Sequence, residues 1–257
     1  MKVVIFAGGL GTRLSEETDV RPKPMVEIGG KPIIWHIMKI YSYYGLNDFI
    51  ICCGYKGEQI KRYFYEYYQH NSDITFDLEK NTTAIHRTRS EPWRVTLIDT
   101  GRETMTGGRL LRVKSYLKNQ ETFCLTYGDG LSNVDIQDTL RFHHQHGKKA
   151  TMVATVLPGR FGALNLNGSV VKSFKEKPES GGGFVNAGFF VLSTDVLSLI
   201  KDDTTVWEQE PLENLAINGG LRAYLHTGFW KPMDTLKDKL DLENYWAKGA
   251  PWKLWDE

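Results

Sequence analysis

The chain has 257 residues, with 32 Lys and Arg against 31 Asp and Glu, a formal charge of +1 that leaves no basic excess to hold nucleic acid. Apolar residues make up 41% and charged residues 25%, which excludes disorder as the main state and, at this length, allows a full core without disulfide staples. Of the cysteines, Cys52 and Cys53 are adjacent and Cys124 stands apart, a pattern of neither a disulfide framework nor a zinc site, so a reducing cytoplasm is expected. The apolar run at the N-terminus meets glycines and an arginine too soon for a signal segment. The longest uncharged stretch, 180–194, is too short and too polar to cross a bilayer, so neither membrane nor nucleic acid is an expected partner.

Consecutive β-branched and apolar residues over 2–7 predict a strand buried on both faces of a parallel sheet. A glycine-rich loop and a proline-containing stretch follow. The spacing of Ile33, Ile34, Ile37, Ile40, Tyr41 and Tyr44 predicts a helix over 31–44, stopped by Gly45. A second buried strand is expected over 49–53, then a helix over 57–70 with Ile60, Tyr63, Phe64 and Tyr67 on one face. A strand over 95–99, a short helix over 109–118, a strand over 122–127, a helix over 135–146 closed by Gly147 and a strand over 150–157 complete this rhythm. Strands alternating with helices mean βαβ units and an α/β fold on a mostly parallel sheet. After Pro158 the spacing shortens: strands near 163–166, 170–174 and 184–192, helices over 194–200 and 211–217, a strand over 221–227 and an amphipathic helix over 236–248. The polar stretch 79–94 reads as a long loop, either a surface excursion or a flap or subunit contact.

Three conspicuous features read as structural. His143, His144 and His146 lie at a helix end and are expected on a solvated face. The aromatic run from Tyr63 to Tyr68 has the spacing of core or subunit packing. Trp246, Trp252 and Trp255 are expected to anchor the C-terminal tail.

The chemistry gathers elsewhere. Gly8-Gly9-Leu10-Gly11-Thr12-Arg13 follows the first strand directly; such a loop aims several backbone N–H groups at one anion, and Arg13 adds a planar, permanently charged fork. A dinucleotide fingerprint fails because Leu14 stands at its third glycine, and Gly11-Thr12-Arg13 is not the ending of a Walker loop. A tight turn is the plain alternative. In Arg21-Pro22-Lys23-Pro24-Met25, two prolines stiffen the backbone around Lys23, which can reach the same anion or sit on a rigid surface turn. Asp129, flanked by glycines at the end of an apolar strand, is placed either to meet phosphate-bound Mg²⁺ or to make an Asp-Gly turn.

The glycine loop and the lysine segment together resemble the sugar-phosphate nucleotidyltransferases. Further family features follow in order: Tyr127-Gly128-Asp129-Gly130, Phe174-Lys175-Glu176-Lys177-Pro178, Val185-Asn186-Ala187-Gly188 and Trp230-Lys231-Pro232-Met233-Asp234-Thr235. The resemblance covers nearly the whole chain. It implies one nucleotidyltransferase domain, with a nucleotide-binding half over 1–157, a β-rich sugar-phosphate half over 158–235 and a C-terminal helix and tail over 236–257. Within the family, the Arg-Pro-Lys-Pro-Met form, Thr104-Met105-Thr106-Gly107-Gly108-Arg109 and the stretch from Phe229 to Thr235 are similar to the members that use CTP and glucose 1-phosphate. UTP, dTTP or another sugar 1-phosphate remain alternatives, as does a regulatory relative that only binds sugar nucleotides.

What the resemblance implies is attack by a sugar-phosphate oxygen on the α-phosphorus, with pyrophosphate leaving and no covalent enzyme intermediate. Phe6, Ala7, Gly8, Gly9, Leu10, Gly11 and Thr12 would cradle the nucleotide. Arg13 would stabilise the transferring and departing phosphates, and Lys23 would bind the α-phosphoryl region. Thr104, Gly108, Arg109 and Gly128 would border the base, although a helix start explains 104–109 equally well. Glu176, Lys177, Asn186 and Gly188 would hold the sugar phosphate. Asp129 and Asp234 would share one Mg²⁺, although Asp234 can equally cap the last helix. A homo-oligomer, tetramer or hexamer, is implied as well, with 79–94 and the aromatic helix as expected contacts. So is a place at the start of a route to CDP-linked deoxyhexoses of surface polysaccharide such as O-antigen.

Overall fold

The computed structural model describes residues 1–157, 163–175 and 183–256. The chain opens with β1 (Lys2–Ala7), a 3-10 turn at Thr12–Leu14, α1 (Ser15–Thr18), a second turn at Lys23–Met25, the short pair β2 (Glu27–Ile28) and β3 (Lys31–Pro32), and α2 (Ile33–Tyr43). Next come β4 (Asp48–Cys53), α3 (Gly57–His70), β5 (Ser72–Asp77), β6 (Thr82–Thr88), β7 (Arg94–Asp99), α4 (Thr106–Val113) with a 3-10 tail at Lys114–Leu117, β8 (Thr122–Tyr127) and β9 (Gly130–Ser132). The remainder holds α5 (Ile136–His146), β10 (Ala150–Leu157), β11 (Ala163–Asn167), β12 (Val170–Lys175), β13 (Gly183–Ser193), a 3-10 segment at Thr194–Leu199, α6 (Glu210–Ile217), β14 (Leu221–Leu225), β15 (Trp230–Pro232) and α7 (Leu236–Ala247).

One large sheet runs in the order β10-β14-β12-β11-β13-β8-β1-β4-β7, and β10 also pairs with β13. β1 lies between parallel β4 and β8, and β7 extends the parallel part to an edge. β13 joins antiparallel to β8, so the sheet is mixed. The expected α/β class is what the chain adopts.

The unbroken apolar run of β1 has a simple cause. Val3, Ile5 and Ala7 face a core built with α2 and the C-terminal tail, while Val4 and Phe6 face a second core with Leu110, Leu125, Trp207 and Leu212. A strand covered on both faces needs no polar alternation.

Two expectations fail here. The stretch 79–94 is not simply a loop: Thr82–Thr88 pairs antiparallel with Ser72–Asp77 in a separate hairpin. Every residue of β6 is exposed, so no buried face imposes a period of two on the sequence. The histidines at the end of α5 do not share one solvated face. His143 is buried with Nδ1 2.9 Å from Thr151 Oγ1, and His146 Nε2 lies 2.7 Å from the same hydroxyl, whereas His144 is exposed. The β-branched hydroxyl on the neighbouring β10 gives the imidazoles a partner that helical spacing alone could not reveal.

The tail is anchored as expected. Trp252 is fully buried, stacks on Phe229 at 5.5 Å, and meets His36 edge-on. His36 Nε2 lies 2.8 Å from the Ile28 carbonyl and its Nδ1 lies 3.4 Å from the Trp252 indole nitrogen. These partners assign the neutral ring, with Nε2–H donating to Ile28 and Nδ1 accepting from Trp252. Burial pushes the imidazole down to about 4, and burial beside two other histidines does the same to His143.

Both rings therefore stay neutral in the folded chain while unfolded ones take up protons below about pH 6.5. The sign follows: stability is complete above that value and falls as pH drops toward about 4, by up to roughly tenfold in the folding constant per pH unit for each ring. Urea unfolding curves across this window check it; a stability independent of pH there would refute the neutral burial.

Candidate active site

A cleft of about 380 Å³ opens beyond the carboxyl ends of β1 and β8. This is where ligands of open α/β sheets bind, because the loops there leave backbone N–H groups and helix starts free. The glycine loop forms one wall. Gly11, at φ 67°, turns the chain into the Thr12–Leu14 segment, and buried Leu14 pins that turn to the core. Thr18 Oγ1 donates to the carbonyls of Gly11 and Leu14, both at 3.0 Å, which fixes the loop from below. Arg13 is left at the rim with its side chain 64% exposed.

The opposite wall brings together the residues that lie farthest apart in sequence. Gly128 N donates to Phe6 O at 2.9 Å, holding the end of β8 against β1. β9 pairs with β15, and Met233 N donates to Asp129 O at 2.8 Å. This two-stranded ribbon carries Asp234 to Asp129. The competing role for Asp234 falls away because Thr235 is the N-cap of α7, in a capping box with Asp238. The Asp234 carboxylate is thereby directed to the cleft.

Lys23 lies between the two carboxylates. Its Nζ is 2.6 Å from Asp129 Oδ2 and 2.8 Å from Asp234 Oδ1, and Arg13 Nη1 is 3.1 Å from the other oxygen of Asp234. Burial pulls the Lys23 ammonium down, but the two carboxylates outweigh it and hold it above its ordinary value. Met25 N donates to Pro22 O at 2.8 Å, so Lys23 sits on a closed turn between prolines and approaches along a fixed direction.

Arg109 is buried beneath the glycine loop. Its guanidinium donates to Thr100 Oγ1 at 2.7 Å, Gly101 O at 2.8 Å, Gly8 O at 3.1 Å and Arg102 O at 3.3 Å. Burial pulls it below its ordinary value. A Cβ on Gly8 would stand 2.2 Å from Arg109 Nη1, so the loop has glycine where the guanidinium passes under it.

Of the residues singled out from sequence, Phe6, Ala7, Gly8, Gly9, Gly11, Thr12, Arg13, Lys23, Thr104, Arg109, Gly128 and Asp129 line the cleft. Leu10 does not; it projects outward, 45% exposed. Gly108 is a correction too. A Cβ there would lie 2.5 Å from Asp203 Cα, and one on Gly107 would lie 2.7 Å from Thr205 O, so these glycines admit a neighbouring segment rather than a base. Asn186 and Gly188 lie next to the cleft, against Tyr127. Glu176 and Lys177 lie outside the described residues. Pro24, Met105, Thr106 and Tyr127, which stood within the sequence motifs without individual roles, also line the cleft. Tyr127 stood in the Tyr127-Gly128-Asp129-Gly130 feature without a role of its own, and the Gly128-Asp129 pair directly after it was the signal available.

Asp129 and Asp234 are the residues that could hold a metal. Both are within hydrogen-bond reach of one ammonium, so both can face one cation, and a small hard cation takes one or two carboxylates and completes its shell with phosphate oxygens and water. Among the described residues no group of three or more His, Cys, Asp or Glu is placed to hold a metal. A cation here would therefore share its coordination with a substrate.

The profile of the nucleotidyl transferase family matches residues 2–228. The glucose-1-phosphate cytidylyltransferase of Salmonella typhimurium is 61% identical over 257 residues, all of both chains. The probable glucose-1-phosphate cytidylyltransferase of Bacillus subtilis is 46% identical over 99% of this chain and 100% of its own. The crystal structure of HddC from Yersinia pseudotuberculosis shares the fold, with a TM-score of 0.76 over 95% of this chain and 99% of that one at 22% identity. A glycine-rich loop, a prolyl-framed lysine and a carboxylate pair thus meet at one cleft of a chain that belongs to the nucleotidyl transferase family, in its glucose-1-phosphate cytidylyltransferase branch.

Proposed function

We propose that this chain transfers a cytidylyl group from CTP to α-D-glucose 1-phosphate, giving CDP-glucose and pyrophosphate. The observation that carries this reading is the convergence of Arg13, Lys23 and Asp129 on the cleft under the glycine loop, with Asp234 paired to both cations. The full-length identity to a named cytidylyltransferase supports the choice of substrates.

The residues divide the work by charge and reach. Backbone N–H groups of 8–12 receive the triphosphate. Among the described residues Arg13 pairs with Asp234 from the rim, its side chain largely exposed, so its fork can move onto the transferring and departing phosphates. Lys23, on its stiff turn, faces the α-phosphoryl group. The bond from the sugar-phosphate oxygen to the α-phosphorus forms as the bond to pyrophosphate breaks, and positioning and charge neutralisation supply the catalysis. Mg²⁺ on Asp129 and Asp234, when bound, would neutralise phosphate charge beside these side chains.

The reading extends to a cytoplasmic homo-oligomer, tetramer or hexamer, that starts a route to CDP-linked deoxyhexoses of surface polysaccharide. The three cysteines are free and buried, and among the described residues no helix is long and apolar enough to cross a membrane. A groove of about 800 Å³ beside the edge strand β7 is walled by Phe64, Tyr65, Tyr67, Tyr68 and Trp93, with Tyr65 84% exposed. Open aromatic surface of this kind supports a subunit contact.

Pyrophosphate release from CTP and glucose 1-phosphate, with UTP and dTTP as controls, tests the reaction. Strong release with CTP that stops on chelation of Mg²⁺ is expected; release with another nucleotide overturns the base, and none with any pairing leaves a binding protein. Arg13→Ala should lower kcat/KM by about 10²–10³-fold while the melting temperature hardly moves, since its ion pair is exposed. Undiminished turnover would sink its assigned role. Sedimentation of the purified chain should show an oligomer, with Tyr65→Ser shifting it toward smaller species; a monomer at all concentrations removes the contact.

A further inference from the structure

A carboxylate that the reaction above leaves unused ties both walls of the cleft together. Glu208 is half-buried in the segment before α6. Its Oε2 accepts from Thr106 Oγ1 at 2.6 Å, and its Oε1 accepts from the Tyr127 hydroxyl at 2.5 Å. Thr106 Oγ1 in turn accepts from Trp207 N at 2.9 Å. Each hydroxyl has one proton, and a carboxylate only accepts, so both protons are committed to Glu208.

The consequence falls on Tyr127. Its ring is stacked on Phe6 at 6.0 Å with 22° between planes. On the β13 side, Gly188 at φ +79° lets the backbone pass so close that a Cβ would stand 2.5 Å from Tyr127 Cδ2. Asn186 Oδ1 accepts from Gly188 N at 2.8 Å, which orients the amide so that Nδ2 donates a long hydrogen bond of 3.4 Å to the Tyr127 oxygen. The phenol is therefore fixed in place, and with its proton on Glu208 any further hydrogen bond it makes toward the cleft is as an acceptor. It stands two residues from Asp129, beside the strand that carries Asn186.

We infer that Tyr127 binds the acceptor substrate by taking a hydrogen bond from one sugar hydroxyl, and that Glu208 is the positioning residue that commits the phenol to that polarity. This rests on the reading of the acceptor as a sugar 1-phosphate. It assigns Tyr127 and Glu208 to selection of the sugar, not of the base. Deoxygenation of one ring position would leave the phenol facing a methylene, and a site built to bond a hydroxyl discriminates strongly against the analogue that lacks it.

The test is steady-state kinetics of Tyr127→Phe, which keeps the ring packing and removes only the oxygen. KM for glucose 1-phosphate is expected to rise on the order of tenfold, with KM for CTP and the CTP-over-UTP preference within about twofold of the parent. One monodeoxy glucose 1-phosphate should be used equally by the parent and by Tyr127→Phe, an equality that general damage to the fold does not produce. Glu208→Gln, whose amide oxygen can still accept from the phenol, should stay near the parent, and Glu208→Leu should share the sugar defect. A rise in KM for CTP equal to that for the sugar, an unchanged sugar KM, or the absence of any equalising deoxy analogue overturns the assignment. Where the parent uses a different nucleotide or sugar 1-phosphate, the same comparison is made with that pair, so failure of the substrate reading is seen in the parent and failure of this one only in the variants.

Discussion

The bridge from Lys23 to Asp129 and Asp234 is the contact on which the rest of the site depends. Two carboxylates facing one small volume repel, and an uncompensated charge taken out of water costs on the order of several kcal/mol. The ammonium offsets both terms, at 2.6 and 2.8 Å from the two oxygens. The surrounding structure then has to place three chain segments within a few ångströms. The turn at Lys23–Met25 delivers the cation, the end of β8 delivers Asp129, and the β9–β15 ribbon delivers Asp234. The capping box of α7 completes this, because Thr235 takes the cap and leaves Asp234 to the cleft.

Much of this was legible in the sequence for physical reasons. β1 is covered on both faces, so its apolar run is continuous and its boundaries were readable to the residue. The loop after it combines glycines with Arg13, a composition suited to an anion site, and it lines the cleft. α3 was equally plain, since fourteen residues from Gly57–His70 repeat one face at helical spacing. The tail tryptophans pointed to an anchor on the body or on a neighbour, and Trp252 is fully buried against Phe229 of the body.

The parts that escaped share one property: their partners are distant in sequence and local pattern does not encode them. Every residue of β6 is exposed and none of β5 is fully buried, so no core face forces alternation on the hairpin. His143 looked solvated because its partner, Thr151, lies on another element. Gly107 and Gly108 looked like a bed for a base, but what they admit is the backbone of 203–205. Glu208 had no signal at all. It is one acidic residue in an acidic stretch, and its meaning comes from Thr106 and Tyr127 reaching it across the cleft.

The same electrostatics explains why the site is assembled in a paired form before substrate arrives. A triphosphate brings several negative charges to a cleft that already holds two carboxylates, and beside the backbone N–H groups the side-chain cations available to meet it, Arg13 and Lys23, are already paired. Arg13 is exposed and loosely held, so it can turn from Asp234 to a phosphate at little cost. Lys23 cannot travel, because prolines flank it and its turn is closed by the Met25–Pro22 hydrogen bond. In the proposed reaction it would exchange carboxylate for phosphate oxygen by rotating its side chain alone. In the proposed reaction that exchange leaves Asp129 and Asp234 facing each other without their ammonium, a state that is tolerable only with another cation between them. In that proposed reaction, lysine on the phosphate and a divalent ion on the carboxylates would be two halves of one charge requirement, with Lys23 holding the acidic pair until substrate arrives.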